Sequence, residues 1–248
     1  MDRFGFWNIR GLNSLNKQKE IKWFLHSNNI GLFGLVETRV KSNNWLKVRN
    51  NLCSSWALCT NNSLHKNGRV WLLWDPNCFD VNVVDITSQT IHSFVLSKMT
   101  GRKFWFTVVY GFNHSTGREL LWNKLKEYAA SCQEAWAVGG DFNNVLNYNE
   151  RIGSDITSAE IAPFQDCVHW CQLQDIPAIG SFFTWNNKQG VESRVYSRID
   201  RMLVNDEWIS KFPESYLKGF MTIVLVLFSL IPWLVELELL SNITTCGL

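Results

Sequence analysis

The stretch that decides the fold is WAVGGDFNN, residues 136–144. Its first part continues the apolar run that begins at Ala135, and a run of this kind is typical of a short strand buried on both faces. We therefore expect a buried strand over residues 135–138, followed by a glycine pair and then by Asp141 and Asn143. The glycine pair alone is also compatible with a simple tight turn. Polar side chains after a buried strand matter because ligands of α/β proteins bind where such strands end.

The same arrangement recurs at four other apolar runs. Asn8 follows residues 4–7, Glu37 follows residues 32–36, Tyr110 follows residues 106–109, and Asp200 lies within the run 197–203. Any one of these residues alone is more often a turn former or a solvated side chain. Together the six supply three carboxylates, two amides and a phenol, which is a hard-oxygen set that suits Mg²⁺.

The rest of the chain predicts a strand-rich α/β fold. Helical spacing covers residues 16–27, 116–132 and 158–172, and a late strand is expected at 182–185. Between the first two helices the pattern predicts consecutive strands at residues 30–36, 56–60, 70–74, 79–86, 90–96 and 103–110. Strands and helices in this mixture indicate two packed sheets flanked by helices.

Composition limits the class of protein. A chain of 248 residues with 46% hydrophobic and 19% charged residues is neither disordered nor a coiled coil, and it can form one domain. The seven cysteines include no Cys-x-x-Cys pair, and residues 1–20 lack the apolar segment of a secretory signal. We therefore expect an intracellular protein with reduced thiols. The triplet Cys167, His169 and Cys171 could bind zinc, but on a helix His169 would point elsewhere, which favours core packing.

Positive charge is concentrated in the first third of the chain. Residues 1–75 hold 11 of the 24 Lys and Arg but only 4 of the 22 Asp and Glu. Such an asymmetry points to a polyanionic partner on one surface, although chance scatter would explain it equally well.

Six motifs together resemble a known superfamily. They are WNIRG (7–11), VETR (36–39), VYG (109–111), GGDFNN (139–144), FTW (183–185) and SRIDR (197–201). Their order and spacing resemble the endonuclease/exonuclease/phosphatase superfamily over residues 4 to about 217. More narrowly, they resemble the apurinic-type endonuclease domain of plant LINE-type (non-LTR) retrotransposons.

The resemblance implies a DNase I-like two-sheet α/β sandwich with a Mg²⁺-dependent phosphodiesterase site, at which Mn²⁺ is an alternative ion. Carried over by position, Glu37 is the main metal ligand and Asn8 assists it. Asp141 orients or deprotonates the attacking water, and Asn143 holds that water or the phosphate. Tyr110 donates a hydrogen bond to a phosphate oxygen.

The resemblance also implies a role for the sixth residue and a DNA-binding surface. Asp200 matches an acid that orients a histidine. Thr184 and Trp185 are expected on the DNA-facing rim. The basic residues that could contact the DNA backbone are Arg10, Arg39 and Lys41, with Lys17 and Lys19. The implied protein is a monomer that acts on DNA, inside the cell and in the nucleus, without a small-molecule cofactor.

One family feature is missing. The family ends with Ser-Asp-His on its last strand, but no Asp-His follows Asp200, and the last histidine of the chain is His169. In the expected place stands GFMTIVLV, residues 219–226. We therefore expect the family domain to end at residue 218 and the last strand to be missing or non-native.

The genetic code offers an explanation for this loss. Met-Thr-Ile-Val at 221–224 is encoded by ATG-ACN-ATH-GTN. Read from the G of ATG, these bases give GAC-NAT-HGT, which encodes Asp, allows His, and allows Ser or Cys. We infer a frameshift near Phe220, so that residues 219–248 form a non-family apolar tail.

Two further functions stay open from the sequence. The chain could be a catalytically inactive nucleic-acid-binding remnant. It could also be a membrane-anchored superfamily member that acts on a small phosphate ester, because residues 219–235 carry no charge. That length is at the lower edge of a membrane span, and Pro232 interrupts it, so we expect no membrane contact.

Overall fold

The computed structural model describes residues 3–64, 69–176, 178–213, 215–220 and 223–228. Its strands in chain order are β1 (Arg3–Asn8), β2 (Ile30–Val36), β3 (Ala57–Thr60), β4 (Val70–Trp74), β5 (Phe79–Ile86), β6 (Thr90–Ser97), β7 (Lys103–Tyr110), β8 (Trp136–Asp141), β9 (Arg151–Ile152), β10 (Gln174–Asp175), β11 (Ala178–Gly180), β12 (Trp185–Asn186), β13 (Tyr196–Ser197), β14 (Asp200–Val204), β15 (Ser215–Phe220) and β16 (Ile223–Phe228).

The described helices are α1 (Leu15–Ser27), α2 (Trp45–Cys53), α3 (Ser115–Ser131), α4 (Ser158–Trp170) and α5 (Asp206–Lys211). Local sequence explains where two of them begin. The Ser14 side chain accepts a hydrogen bond from the backbone N–H of Lys17 and caps α1. Thr157 and Glu160 form a capping box at the start of α4.

The strands form two large sheets and one small one. The first sheet has the order β11-β15-β16-β1-β2-β4-β3, and the second has the order β10-β14-β8-β7-β6-β5. A three-stranded sheet with the order β12-β13-β9 lies apart from them. Both large sheets mix parallel and antiparallel pairs. The expected fold class, an α/β sandwich of two sheets flanked by helices, is therefore confirmed.

Aromatic side chains fill the space between the two large sheets. Phe4 of β1 contacts Phe104 and Phe106 of β7, with ring centroids 5.1 and 4.9 Å apart. All three side chains are at most 1% exposed. Large aromatic rings bury the most apolar area per residue, which stabilises the face-to-face packing that sets the relative position of the two sheets.

Helices cover the outer face of each large sheet. One apolar cluster joins α1 and α2 to the first sheet, and another joins α3 and α4 to the second. Cys167 and Cys171 belong to the second of these clusters, whereas His169 is exposed. Core packing is therefore confirmed for these two cysteines.

Most predicted elements agree with the structure, one predicted strand does not, and the helices α2 and α5 are absent from the prediction. The strands expected between residues 30 and 110 are all present within one or two residues. Helix α2 is not predicted, because its Asn-rich sequence has low helix propensity and packing against α1 stabilises it. The strand expected at 182–185 is wrong except for Trp185, since residues 182–184 form an irregular segment before β12.

A strand occupies the position where a missing or non-native one was expected. Strand β16 pairs antiparallel with β1 on one side and with β15 on the other. Its sequence, IVLVLF, is apolar and rich in β-branched residues, which favours a strand at such a central position. Residues 229–248 of the tail lie outside the described residues. In the part of the chain that the structure describes, no helix has the length and apolar character needed to cross a membrane.

The glycine pair before Asp141 lies within β8 and does not form a tight turn. Gly140 has a φ of +152°, and a Cβ atom there would lie 1.9 Å from the carbonyl oxygen of Val109 on β7. A Cβ on Gly139 would lie 2.6 Å from Met202 of β14. Gly140 is therefore required because a side chain there would push β8 away from the backbone of β7, whereas at Gly139 the nearest atoms belong to the flexible end of a methionine side chain.

Candidate active site

Strand pairing places three of the predicted residues side by side. Asp141 is the register partner of Tyr110 on the parallel strand β7. It is also the register partner of Asp200 on the antiparallel strand β14. Adjacent strands lie about 4.8 Å apart, so the phenol and the two carboxyl groups form one row across the second sheet.

The first sheet brings two more predicted residues to the same end of the sandwich. Asn8 ends β1 opposite Val36, and Glu37 follows Val36 directly. Asn8 Nδ2 donates a 2.7 Å hydrogen bond to Asp141 Oδ2, and this bond is buried. The bond links the two sheets and sets the distance between the two halves of the site.

Asn143 is held over the end of β8 by its backbone and its side chain. Its backbone N–H donates to Asp141 Oδ1 at 2.7 Å, and its Nδ2 donates to the carbonyl oxygen of Gly111 at 2.6 Å. Its amide oxygen is left as the group that can accept from a water or another donor.

Four site residues have an unusual backbone. Arg10, Glu37, Arg39 and Asn143 have φ values of 48°, 56°, 52° and 48°, in the left-handed region that non-glycine residues rarely adopt. Each costs on the order of 1 kcal/mol or more, and such residues cluster at functional sites. Their concentration at one end of the sandwich supports its assignment as the functional end.

Glu37 and Tyr110 form a hydrogen-bonded group with two arginines. Glu37 Oε1 accepts from Arg39 Nη2 at 2.7 Å and from Tyr110 Oη at 3.2 Å. Tyr110 Oη in turn accepts from Arg69 Nη1 at 3.0 Å. The Glu37 side chain keeps 12% of its surface exposed, so its carboxylate faces an accessible position.

The Asp200 half of the site is buried and incompletely paired. Among the residues that the structure describes, Asp200 Oδ1, Asp200 Oδ2, Asn8 Oδ1 and Arg10 Nη2 are buried and have no hydrogen-bond partner. Asn8 and Thr184 are still close enough to Asp200 to stabilise its charged form. Four buried polar atoms without partners are unusual in one place, because each costs about 1–3 kcal/mol.

Burial dominates the ionisation of this half. It raises the pKa of Asp141 well above its usual range, and the nearby charge of Asp200 raises it further. It also raises the pKa of Asp200 to about 7, while Arg10 opposes the shift. Burial and the charge of Glu37 raise the pKa of Tyr110, so its phenol keeps its proton and acts as a donor at neutral pH.

The predicted DNA-binding residues have different environments. Arg39 and Lys41 are exposed on the loop after β2, whereas Arg10 is only half-exposed and lies near the two aspartates. Thr184 is 7% exposed, and its Oγ1 accepts from the backbone N–H groups of Ile199 and Asp200, so it does not stand on an exposed rim.

Trp185, the other residue expected on that rim, is half-buried. It packs against a small cluster of Val145, Ile161 and Ile199. Part of its ring is therefore used to hold the loop after β8 against β14.

Two arginines near the site could not be predicted from the sequence. Arg69 directly precedes β4 and lies outside every motif. Arg118 of α3 donates from Nη1 to the carbonyl oxygens of Phe112 and Asn113 and so fixes the loop after Tyr110. Neither position has a local sequence signal, because each reaches the site through the fold.

The residues present fit a hard divalent cation. Within the described ranges, no three His, Cys, Asp or Glu side chains lie close enough together to share a metal ion. Mg²⁺ does not need such a cluster, since it binds through one or two protein oxygens and keeps several waters. The accessible carboxylate of Glu37 and the unpaired Oδ1 of Asn8 supply oxygens of that kind.

Comparison with solved structures shows the same fold in several enzymes. The endonuclease domain of TRAS1, a telomere-specific non-LTR retrotransposon, matches with a TM-score of 0.69 and 12% identity, over 93% of this chain and 99% of that one. An AP endonuclease from Leishmania major matches with a TM-score of 0.64 and 12% identity, over 91% and 86%. A mannosyl-6-phosphatase from Bacteroides thetaiotaomicron matches with a TM-score of 0.58 and 14% identity, over 91% and 98%.

At these identities the likeness shows the fold alone. No curated protein matches the chain by sequence. The sequence pattern of one family, however, matches residues 5–219, which include every predicted site residue. The chain therefore belongs to the endonuclease/exonuclease/phosphatase family.

Proposed function

We propose that this protein is a divalent-metal-dependent phosphodiesterase that nicks DNA and leaves a 3′-hydroxyl. The observation that carries the proposal is the row of Tyr110, Asp141 and Asp200, joined to the first sheet by the Asn8–Asp141 hydrogen bond. Hydrolysis of a phosphodiester requires an aligned water, a group that takes its proton, and donors to the phosphoryl oxygens. These three requirements correspond to distinct residues of the site.

Each residue has a role that follows from its contacts. Asp141 is the acceptor for the proton of the attacking water, because burial raises its pKa and so makes its carboxylate a stronger base. Asn143 positions that water or the phosphate through its free amide oxygen and its fixed side chain. Tyr110 donates a hydrogen bond to a phosphoryl oxygen.

Glu37 and Asn8 would hold Mg²⁺, with Mn²⁺ as an alternative. When bound, such an ion neutralises charge that develops on the phosphoryl group. Arg39 and Lys41 are exposed at the same end and supply positive charge for the DNA backbone.

The proposal also covers the origin of the chain and the loss of its terminal Asp-His motif. We infer a LINE-type retrotransposon endonuclease of the plant type, which acts inside the cell, in the nucleus, as a monomer. The family domain covers residues 1–218, and residues 219–248 are an out-of-frame tail that replaces the terminal Asp-His. The unpaired oxygens of Asp200 support this inference, because the residue matches an acid that pairs with a histidine.

Conversion of supercoiled plasmid to the nicked form tests the function. The full chain is incubated with Mg²⁺, with Mn²⁺ and with EDTA, beside the Asp141→Asn variant. We expect metal-dependent nicking that Asp141→Asn lowers by about 10²–10⁴-fold. The control is Asp166→Asn, which changes an exposed aspartate on α4. Nicking that survives EDTA, or that Asp141→Asn leaves unchanged, would contradict the proposal.

The unpaired atoms favour one second candidate, an inactive DNA-binding remnant. Loss of one preorganised donor typically costs about 10²–10³ in rate, which could bring nicking below detection. A remnant would still bind duplex DNA with an affinity that falls steeply with salt, because binding releases counterions from the phosphates. Binding of a labelled duplex over a salt series, beside the nicking assay, distinguishes the two functions.

A further inference from the structure

Arg69, which no motif includes, lies against the phenol of Tyr110. Its Nη1 donates to Tyr110 Oη at 3.0 Å, and its guanidinium carbon lies 5.2 Å from the centre of the ring. A hydrogen bond and a cation–π contact therefore join the same two side chains. Among the described residues, the buried Nε of Arg69 has no hydrogen-bond partner. Arg69 therefore contacts Tyr110 in an orientation that leaves one of its own donors unpaired.

A buried asparagine fixes the backbone at this position. Asn61 is fully buried, and its Oδ1 accepts from the backbone N–H groups of Arg69 and Val70 at 3.0 and 2.9 Å. Its Nδ2 donates to the carbonyl oxygens of Thr87 and Ser88. These hydrogen bonds fix the backbone of Arg69 just before β4, so that its side chain reaches Tyr110 from a defined direction.

The position of Arg69 decides where the phenolic proton points. A phenol oxygen carries one proton, and a guanidinium can only donate. Because Arg69 donates to Oη, the proton of Tyr110 must point to another acceptor. The acceptors within reach are Glu37 Oε1 at 3.2 Å and Asn113 Oδ1 at 3.5 Å.

We propose that Arg69 is a positioning residue that keeps Tyr110 as a hydrogen-bond donor directed at the Glu37 side of the site, where it donates to a phosphate oxygen of the nucleic acid. The nature of that anion rests on the proposed function, whereas the direction of the phenolic proton does not. Without Arg69, Oη could accept from other donors, such as Arg39 beside Glu37, and its proton would have no fixed direction.

A double-mutant cycle on nicking separates positioning from general stabilisation. Arg69→Met and Tyr110→Phe are each expected to lower kcat/KM roughly 10-fold, as for the loss of one charge-assisted hydrogen bond. The double variant should be no slower than Tyr110→Phe, because Arg69 acts through the hydroxyl. Lys22→Met, which removes an exposed charge on α1, is the control, and melting temperatures identify unfolded variants. Losses that simply multiply in the double variant would overturn the proposal.

A second measurement needs no enzymatic activity. The chain has five tyrosines, so ζ-¹³C-labelled tyrosine gives a simple NMR spectrum in which Tyr110 is assigned by its absence in Tyr110→Phe. We expect Arg69→Met and Glu37→Gln each to shift the Tyr110 resonance, and Lys22→Met to leave it in place. A resonance that Arg69→Met does not move would overturn the proposal. A chain that never nicks DNA would count against the proposed function alone, because the NMR result still decides the role of Arg69.

Discussion

Asp200 and Arg201 are consecutive residues of β14, and both are at most 2% exposed, yet their pairing is opposite. Arg201 donates from Nη1 and Nη2 to both oxygens of Glu150, and Nη1 also reaches Asp175. Asp200 points to the other face of the strand, and no hydrogen-bond partner of either oxygen lies among the described residues. The surroundings of Arg201 thus supply acceptors for its buried charge, whereas the described surroundings of Asp200 donate no hydrogen bond to its carboxylate.

We infer from this difference that the charge of Arg201 is structural and that of Asp200 functional. The ion pair of Arg201 and Glu150 joins β14 to the loop after β8, because Glu150 also accepts from the backbone N–H groups of Leu146 and Asn147. Asp200 makes no such link, and burial, which raises its pKa to about 7, makes its charge costly. A buried carboxylate of this kind is a candidate for a functional group, and here it lies in the row with Asp141.

The largest expected effect is loss of the structural pair. Arg201→Leu leaves Glu150 buried without its main partner, which typically costs about 3–5 kcal/mol. Thermal unfolding of a chain of this size should then show a melting temperature lower by roughly 10 °C.

The matched variant replaces both charges. Arg201→Leu combined with Glu150→Leu should recover part of the loss, because no buried charge is left unpaired. Equal melting temperatures for Arg201→Leu and the unaltered chain would contradict this expectation, because the surroundings of Arg201 would then stabilise its charge no better than those of Asp200.

The opposite effect is expected at the neighbouring residue. Asp200→Asn removes an unpaired buried charge and should raise the melting temperature at pH 8 by several degrees, at roughly 2–4 °C per kcal/mol. The measurement is thermal unfolding of both proteins at the same salt concentration. A lower melting temperature for Asp200→Asn would mean that the charge of Asp200 is satisfied in the folded protein.

The pH dependence of stability follows from the raised pKa of Asp200, about 7 against about 4 in the unfolded chain. Folding is coupled to proton binding when the folded pKa is the higher one. The stabilising contribution is complete below about pH 4 and is lost as the pH rises to about 7. The free energy of unfolding, measured with urea, should therefore fall between pH 5 and pH 7, and less so in Asp200→Asn. Parallel curves for the two proteins would contradict this assignment.

A smaller loss of stability is expected at Thr184, whose hydroxyl holds the backbone of Asp200. Thr184→Val keeps the shape of the side chain but removes the oxygen that accepts from the N–H groups of Ile199 and Asp200. The cost should be about 1–2 kcal/mol, or a few degrees in melting temperature. Ser181→Ala, in the exposed segment before β12, is the control. A change no larger than that of the control would show that Thr184 does not hold this strand.

The sequence predicts well which strand ends come together. Asn8, Glu37, Tyr110 and Asp141 each follow an apolar run, and the registers of β1, β2, β7 and β8 bring their ends together. This prediction is possible because β1 and β2, and likewise β7 and β8, pair in parallel, which aligns the carboxyl ends of the strands.

The remaining features depend on contacts that are distant in sequence. Arg69 meets Tyr110 across 41 positions, and no local pattern marks it. Thr184 has the residue type expected of a rim, but its hydroxyl is used by the backbone of β14. The apolar tail supplies a strand because a central position accepts almost any apolar, β-branched sequence.

The most direct measurement is plasmid nicking with Mg²⁺ by the chain as it stands and by a version that continues in the shifted frame after Phe220. We infer that the site is intact up to that point and lacks a donor beside Asp200. We therefore expect the shifted version to nick about 10²–10³ times faster, and Asp141→Asn to abolish the gain. Equal rates for the two versions would contradict this inference, because the unpaired carboxylate of Asp200 would then have no missing partner.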